Sequence, residues 1–489
     1  MDIIRNKITE SYIYTLIVKL INICSYSYVM KPSLIKHKKY DIKTHKIFII
    51  TKSETKHSKC LISSKNNKFI KFVYSLYSNI TTYSYIGKVI KNFNFAYVIA
   101  IYIFIDYIMR KSIPSFASVW DELLFIIILG WLVCRRIFFN KKHVFTCIDI
   151  GLIFFAIIYL ILVFVNSPNL NIGIEGYRAV VQHMLWFFLM VQLLDSKKVI
   201  YRTIWIFIIG IGFIGVHGIY QYITKAPMLG NWVDSTETIT TRVYSITKSP
   251  NALGSLLIYF IPIAFSMIIA NKDIIKKIIA VIFTLTMSLC ILFTFSRGAW
   301  MGAFLSILIF LILINKRMIM PVVTIILIAM MNINSLWKRV SYLFTPEYIA
   351  KAKNGGRLYR YYTSIEKWSE SKILGLGIGR YGGAVATNHN LSPYYMDNYY
   401  LKTLCESGIL GFGAFIILII STIYKLYRYI LGASVKEDKI VMYGVFSGLC
   451  GVLIQNTVEN IFELPFMVVY FWVLAAVIVS LFKVNENKK

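Results

Sequence analysis

Four arginines, Arg242, Arg297, Arg357 and Arg380, stand in the connections between long apolar stretches of this chain. A guanidinium stays charged at physiological pH and offers a planar fork of donors matched to phosphate oxygens, so several at one membrane face suit a diphosphate headgroup. Arg297 is the sharpest case. In Phe295-Ser296-Arg297-Gly298-Ala299-Trp300 only Ser296, Arg297 and Gly298 remain for the turn between two apolar runs. Its charge is then held at or just below the membrane interface, where an unpaired cation is costly, and it requires a fixed anionic partner. That partner is a carboxylate of the protein or a ligand phosphate. Taken singly, each arginine has the alternative of snorkelling to water or pairing with a nearby acid.

The elements that must hold these side chains are membrane helices. A chain of 489 residues with 57% hydrophobic content and a mean hydropathy of +0.64 is no soluble globule, because spans of about 20 apolar residues are what cross a hydrocarbon core. Apolar runs fall at 93–109, 118–134, 144–165, 179–194, 199–223, 251–270, 277–295, 299–314, 318–332, 404–424, 440–458 and 464–482. They predict an all-α polytopic membrane protein of about 12 spans, with one large external loop between spans 9 and 10. The organisation expected is a basic cytoplasmic membrane-surface region over 1–92, nine spans over 93–332, the loop with active-site residues over 333–403, and three spans with a cytoplasmic tail over 404–489.

Charge supplies the orientation. With the basic N-terminus inside, the cytoplasmic connections hold Arg135-Arg136 with Lys141-Lys142, Lys197-Lys198, Lys272 with Lys276-Lys277, Lys316-Arg317, and Lys425 to Lys439. All are basic clusters, as the positive-inside rule demands, and the long loop exceeds the length to which that rule applies. The arginine-bearing connections then face outward, and both termini are cytoplasmic. The net charge of +30 points to anionic lipid at the cytoplasmic face rather than to nucleic acid, since the basic residues gather at span ends and in the first ninety residues. Scattered cysteines without a CxxC pair indicate neither a disulfide framework nor a zinc site.

Several motifs together resemble the O-antigen ligase and polysaccharide polymerase superfamily of bacterial envelope enzymes. Thr294-Phe295-Ser296-Arg297-Gly298-Ala299-Trp300 is similar to its signature. Arg242 followed by Pro250-Asn251 resembles its arginine and span-opening Pro-Asn. Gly356-Arg357 and Gly375-Leu376-Gly377-Ile378-Gly379 resemble the start and middle of its external loop, and Asp397-Asn398 running to Gly411 resembles that loop's end. Gln221 and Glu459-Asn460-Ile461-Phe462-Glu463 are weaker matches.

The resemblance implies a glycosyltransferase needing no metal or other cofactor, in the bacterial cytoplasmic membrane, with its site facing outward. Such enzymes move a glycan from an undecaprenyl-diphosphate carrier to an acceptor hydroxyl. Arg242 and Arg297 would hold the diphosphate and stabilise the charge that develops as it leaves, with Arg357 and Arg380 as further ligands. In the family's ligases a histidine precedes the loop's final Asn, and here that position is Asp397. Asp397 is therefore the expected base beside Asn398, with His389 as the competing candidate. Asp397 could instead cap the helix that follows. Glu406 faces the same cavity or serves helix packing.

Loop tyrosines such as Tyr361, Tyr394 and Tyr395 anchor the loop at the interface or stack on sugars. The glycines from Gly375 to Gly383 read as turns and not as a nucleotide loop, because no strand-to-helix pattern or P-loop lysine accompanies them. Asp397 in place of histidine and the long basic N-terminal region resemble the superfamily's polymerases, which join lipid-linked repeat units for capsule, exopolysaccharide or teichuronic-acid type glycans. Such an enzyme would work beside a chain-length regulator. An O-antigen ligase is the runner-up, and a transporter of lipid-linked glycans the reading from another class, although no internal repeat supports it.

Overall fold

A computed structural model describes residues 93–139, 143–230, 241–332 and 334–486; the expected membrane-surface region 1–92 lies outside them. The described residues are helical, without strands, and seven helices are long and apolar enough to cross a membrane. The chain divides into two units, residues 1–91 with Cys134–Ile150, and residues 92–133 with 151–489. In the described part of the first, Thr146 and Asp149 bond each other's backbone N–H, at 2.5 Å to Asp149 Oδ2 and 3.3 Å to Thr146 Oγ1, opening the helix Cys147–Asn166. All that follows concerns the second unit.

Every expected apolar run contains helix, but several are interrupted; in the run 404–424, Gly408 is non-helical (φ 60°, ψ −168°). The first run breaks at Ile101 into Phe95–Ala100 and Tyr102–Ser112. There Tyr470 accepts from Ile103 N at 3.1 Å and donates to Ala100 O at 3.2 Å, satisfying backbone groups that an apolar environment would leave unpaired. The fourth run is Leu170–Val181 and Trp186–Leu193 joined by a 3-10 turn at Gln182–Leu185. This turn sets His183 Nε2 3.2 Å from Asp121 Oδ2. The segment expected to be the external loop holds helices too, Asn334–Ser341, Pro346–Lys353, Arg357–Glu370 and Ala384–Asn388.

The centre is built on small residues. Along Lys436–Gln455, a Cβ on Gly444 would lie 2.6 Å from Pro262 O, one on Gly448 2.5 Å from Tyr259 O, and one on Gly451 2.6 Å from Ser306 Cβ. These glycines let Lys436–Gln455 lie directly on Pro250–Ala270 and Arg297–Asn315, the packing that small residues allow between membrane helices. Pro465–Glu486 is buried along nearly its whole length.

This packing fixes which connections share an end. Pro250–Ala270 and Arg297–Asn315 begin, and Lys436–Gln455 finishes, at one end of the bundle. Asn315 is extended (φ −160°, ψ 99°) and caps the turn Lys316–Met318, so Ile319–Asn332 returns toward the same end. At the other end Asp438 binds Lys197 Nζ (2.6 Å), Tyr201 (2.7 Å) and Asn485 (2.7 Å), among the basic clusters at 197–198, 272–277, 316–317 and 425–439.

Candidate active site

Every residue of the 294–300 motif has a separate physical task. Thr294 O accepts from Arg242 Nε at 2.9 Å. Phe295 is left-handed (φ 49°) and its carbonyl accepts from Arg339 Nε at 3.2 Å. Ser296 caps the helix, Oγ to Ala299 N at 3.4 Å, the usual work of serine at this position. Arg297 reaches the Arg339 carbonyl at 2.7 Å and lies over the rings of Tyr342 and Tyr348 at 5.2 and 5.4 Å, a cation–π arrangement. Gly298 abuts Val458 and Glu459, where a Cβ would stand 3.2 Å from Val458 Cγ2. Ala299 fits against Gly254, and Trp300 Nε1 donates to Ile291 O at 2.9 Å.

Beside this motif lies a cavity of about 220 Å³ lined by Arg242, Asn251, Phe295, Ser296, Arg297, Gly298, Arg339, Tyr348, Lys351, Ala352, Gly356, Arg357 and Glu459. Among the described residues, four arginines and a lysine face one carboxylate. Asn251 links the two signs: Oδ1 accepts from Arg242 Nη2 at 3.1 Å while Nδ2 donates to Glu459 Oε1 at 2.9 Å, and Glu459 is ion-paired to Arg357. Ser249 and Pro250 open the helix carrying Asn251, by a capping hydroxyl and a proline at its first position.

Arg242 is 7% exposed. Burial, with Glu459 opposing and Arg297 and Arg357 adding, pulls its pKa down to about 10, so it keeps its charge at neutral pH. Burial also lowers Arg357, but Glu459, with Asp397 behind it, more than compensates and the net movement is upward. Glu459 is raised above the usual carboxylate range by burial, which Arg357 only partly offsets. The cavity is thus strongly positive, and it is smaller than the roughly 300–1,000 Å³ of sites that enclose a whole small ligand. It suits a compact polyanion whose remaining parts lie outside.

Of the candidate catalytic and substrate-binding residues read from the sequence, Arg242, Arg297 and Arg357 line this cavity, whereas Arg380, His389, Asp397, Asn398 and Glu406 do not. Asp397 stands at its edge, close enough to act electrostatically on Glu459 and Arg357. Its Oδ2 is held by Arg360 Nη1 at 2.8 Å, and its carbonyl accepts from Tyr361 at 3.3 Å. The helix cap expected of Asp397 is made by Asn398 instead, with Oδ1 to Leu401 N at 3.0 Å and Nδ2 to Thr457 O at 2.8 Å. His389 is half-exposed and bound to Glu175 at 3.0 Å. Arg380 is half-buried beside Gly377.

Glu406 is buried under the loop, paired with Lys402 at 2.9 Å and accepting from Tyr381 N at 3.2 Å, while Lys402 also pairs with Glu463. The loop glycines press the chain onto the bundle: a Cβ on left-handed Gly375 would meet Glu406 O at 2.4 Å, and one on left-handed Gly379 would meet Ile172 O at 2.9 Å. Sequence reasoning missed Arg339 and Lys351 entirely and ranked Glu459 as a minor match. No local motif marks Arg339, which stands in Trp337-Lys338-Arg339-Val340 a few residues beyond an apolar run.

Residues 282–416 match the family model described as O-Antigen ligase. The matched segment takes in Arg297, Arg339, Lys351, Arg357 and Asp397, and it bears out the resemblance drawn from the motifs. No curated protein matches the chain.

Proposed function

We propose, with the O-antigen ligase-like segment 282–416 as premise, that this membrane protein is a glycosyltransferase that joins undecaprenyl-diphosphate-linked oligosaccharide repeat units in the synthesis of a capsule, exopolysaccharide or teichuronic-acid type glycan. The observation that carries this reading is the convergence of Arg242, Arg297, Arg339, Arg357 and Lys351 on one cavity, with Glu459 as the single lining carboxylate among the described residues. The charge asymmetry between the two ends of the bundle supports an outward-facing site in the cytoplasmic membrane.

In this reading the donor's diphosphate occupies the cavity, with its prenyl chain in the bilayer and its glycan over the loop. The acceptor hydroxyl oxygen attacks the anomeric carbon, the bond from that carbon to the phosphate oxygen breaks, and the electron pair leaves with the diphosphate. Fixed guanidinium groups in a partly dry site stabilise the charge that accumulates there without reorganising. The proton passes from the acceptor hydroxyl to Asp397, whose Oδ1 carries no bond among the described residues while Arg360 fixes Oδ2. Glu459 is a positioning group, keeping Asn251 and Arg357 in place.

The test is a reconstitution of purified protein with a lipid-linked repeat unit in detergent, without nucleotide or added metal. Longer glycans and free undecaprenyl diphosphate are expected. Transfer to a lipid A core acceptor but not to a second repeat unit would assign a ligase. Absence of both released diphosphate and transferred glycan would favour a transporter.

A further inference from the structure

The helices Asn334–Ser341 and Pro346–Lys353, with the 3-10 turn Tyr342–Phe344 between them, have two unlike faces. Arg339, Tyr348, Lys351 and Ala352 line the cavity. Away from it, Trp337, Phe344 and Ile349 are 48%, 80% and 45% exposed. Large apolar side chains left exposed on two helices and the turn that joins them call for a nonaqueous neighbour.

Two independent features fix the level of this surface. The apolar helix Ile319–Asn332 exposes Met320, Leu327, Ile328 and Met331, as a lipid-facing helix does, and the amphipathic helix begins at Asn334, immediately after it. Arg297, the first residue of a membrane-spanning helix, binds the Arg339 carbonyl at 2.7 Å. Asn334–Ser341 is therefore tied to the ends of two membrane helices and lies where hydrocarbon meets headgroups. Its charge fits that place: Lys338 and Lys353 are exposed, and Glu347 is the single acid between 334 and 353. Basic side chains next to aromatic and aliphatic ones are the pattern of a segment lying in an anionic interface.

We propose that residues 334–353 form a lipid-docking surface in which Trp337, Phe344 and Ile349 enter the boundary between headgroups and acyl chains while Lys338 and Lys353 meet anionic headgroups. The occupant is bilayer lipid and not a second protein. Docking holds the segment as a roof that presents Arg339, Tyr348 and Lys351 to the cavity. The inference requires no particular glycan or reaction.

A coumarin amino acid installed at Phe344, and separately at Trp337, reads the surroundings of each position in protein reconstituted into phosphatidylglycerol and phosphatidylethanolamine vesicles. Phospholipids with a nitroxide high on the acyl chain are expected to quench both positions at least twofold more than aqueous iodide does. Iodide quenching equal to or stronger than that by the lipid nitroxide at either position overturns the proposal. Protection from both quenchers overturns it in favour of a covering protein or a second copy. Since the readout needs no turnover, its failure is distinguishable from a failure of the proposed reaction.

Discussion

Arg297 and Arg339 hold each other's stretch of backbone: Arg297 Nε donates to the Arg339 carbonyl at 2.7 Å, and Arg339 Nε donates to the Phe295 carbonyl at 3.2 Å. The span start and the loop helix are thereby locked with both guanidinium groups at one cavity. Removing a preorganised donor from a site of developing charge costs about 10²–10³ in kcat. Arg339→Ala is accordingly expected to fall into that range alongside Arg297→Ala and Arg242→Ala, measured as released undecaprenyl diphosphate per enzyme. Arg339→Lys should recover little, because an ammonium lacks the fork that serves backbone and cavity together. Near-normal turnover by Arg339→Ala would remove it from the site.

Three carboxyl and imidazole candidates are separable by ranking. Asp397→Asn should reduce turnover most, Glu459→Gln less, and His389→Ala least, since His389 is engaged with Glu175 and lines no part of the cavity. The test is kcat and KM measured with the lipid-linked donor. Glu459→Gln keeps the acceptor for Asn251 and should act mainly on KM. A larger kcat loss in Glu459→Gln than in Asp397→Asn would transfer the base role to Glu459.

How much of this was legible beforehand depends on the range of the interaction. Arg242, Arg297 and Arg357 sit in short local motifs, so their chemistry is readable from neighbours in sequence. Arg339 and Lys351 are recruited by a bond from Arg297 across 42 positions, and no local pattern in a segment read as loop announces it. The break at Ile101 is invisible for the same reason: the run through it is continuously apolar, and the hydroxyl that satisfies the break comes from Tyr470. Asn398 and Glu406 belong to a strong motif, yet they cap a helix and bind Lys402. A motif marks residues that a fold requires without saying whether it requires them for chemistry.

Helix packing offers a stability prediction. A side chain at Gly448 would meet the backbone of Pro250–Ala270, since its Cβ would stand 2.5 Å from Tyr259 O, and backbone cannot rotate away. Overpacking of this kind costs about 1–3 kcal/mol. Gly448→Val should lower the thermal midpoint in detergent, whereas Gly413→Val, with nothing within 4 Å of its Cβ, should leave it unchanged. Equal midpoints would contradict the direct contact between the two helices.

The last prediction concerns pH. Glu459 titrates above its ordinary value of 4.5 because burial disfavours its charge. Folding therefore favours its protonated form, and its contribution to stability is largest below 4.5 and falls as pH rises through the raised value. The ion pair with Arg357 follows the opposite course, forming above that value and lost as pH falls through it. In the neutral form Glu459 no longer competes with a phosphate for Arg357, and the cavity gains one net positive charge. Inorganic pyrophosphate, used as a probe, should thus bind more tightly as pH falls through the Glu459 transition. In Glu459→Gln this gain should be missing, leaving only the pH dependence that pyrophosphate's own protonation imposes. An unchanged pH dependence in that variant would assign the titration to another group and leave Glu459 a structural partner of Asn251 alone.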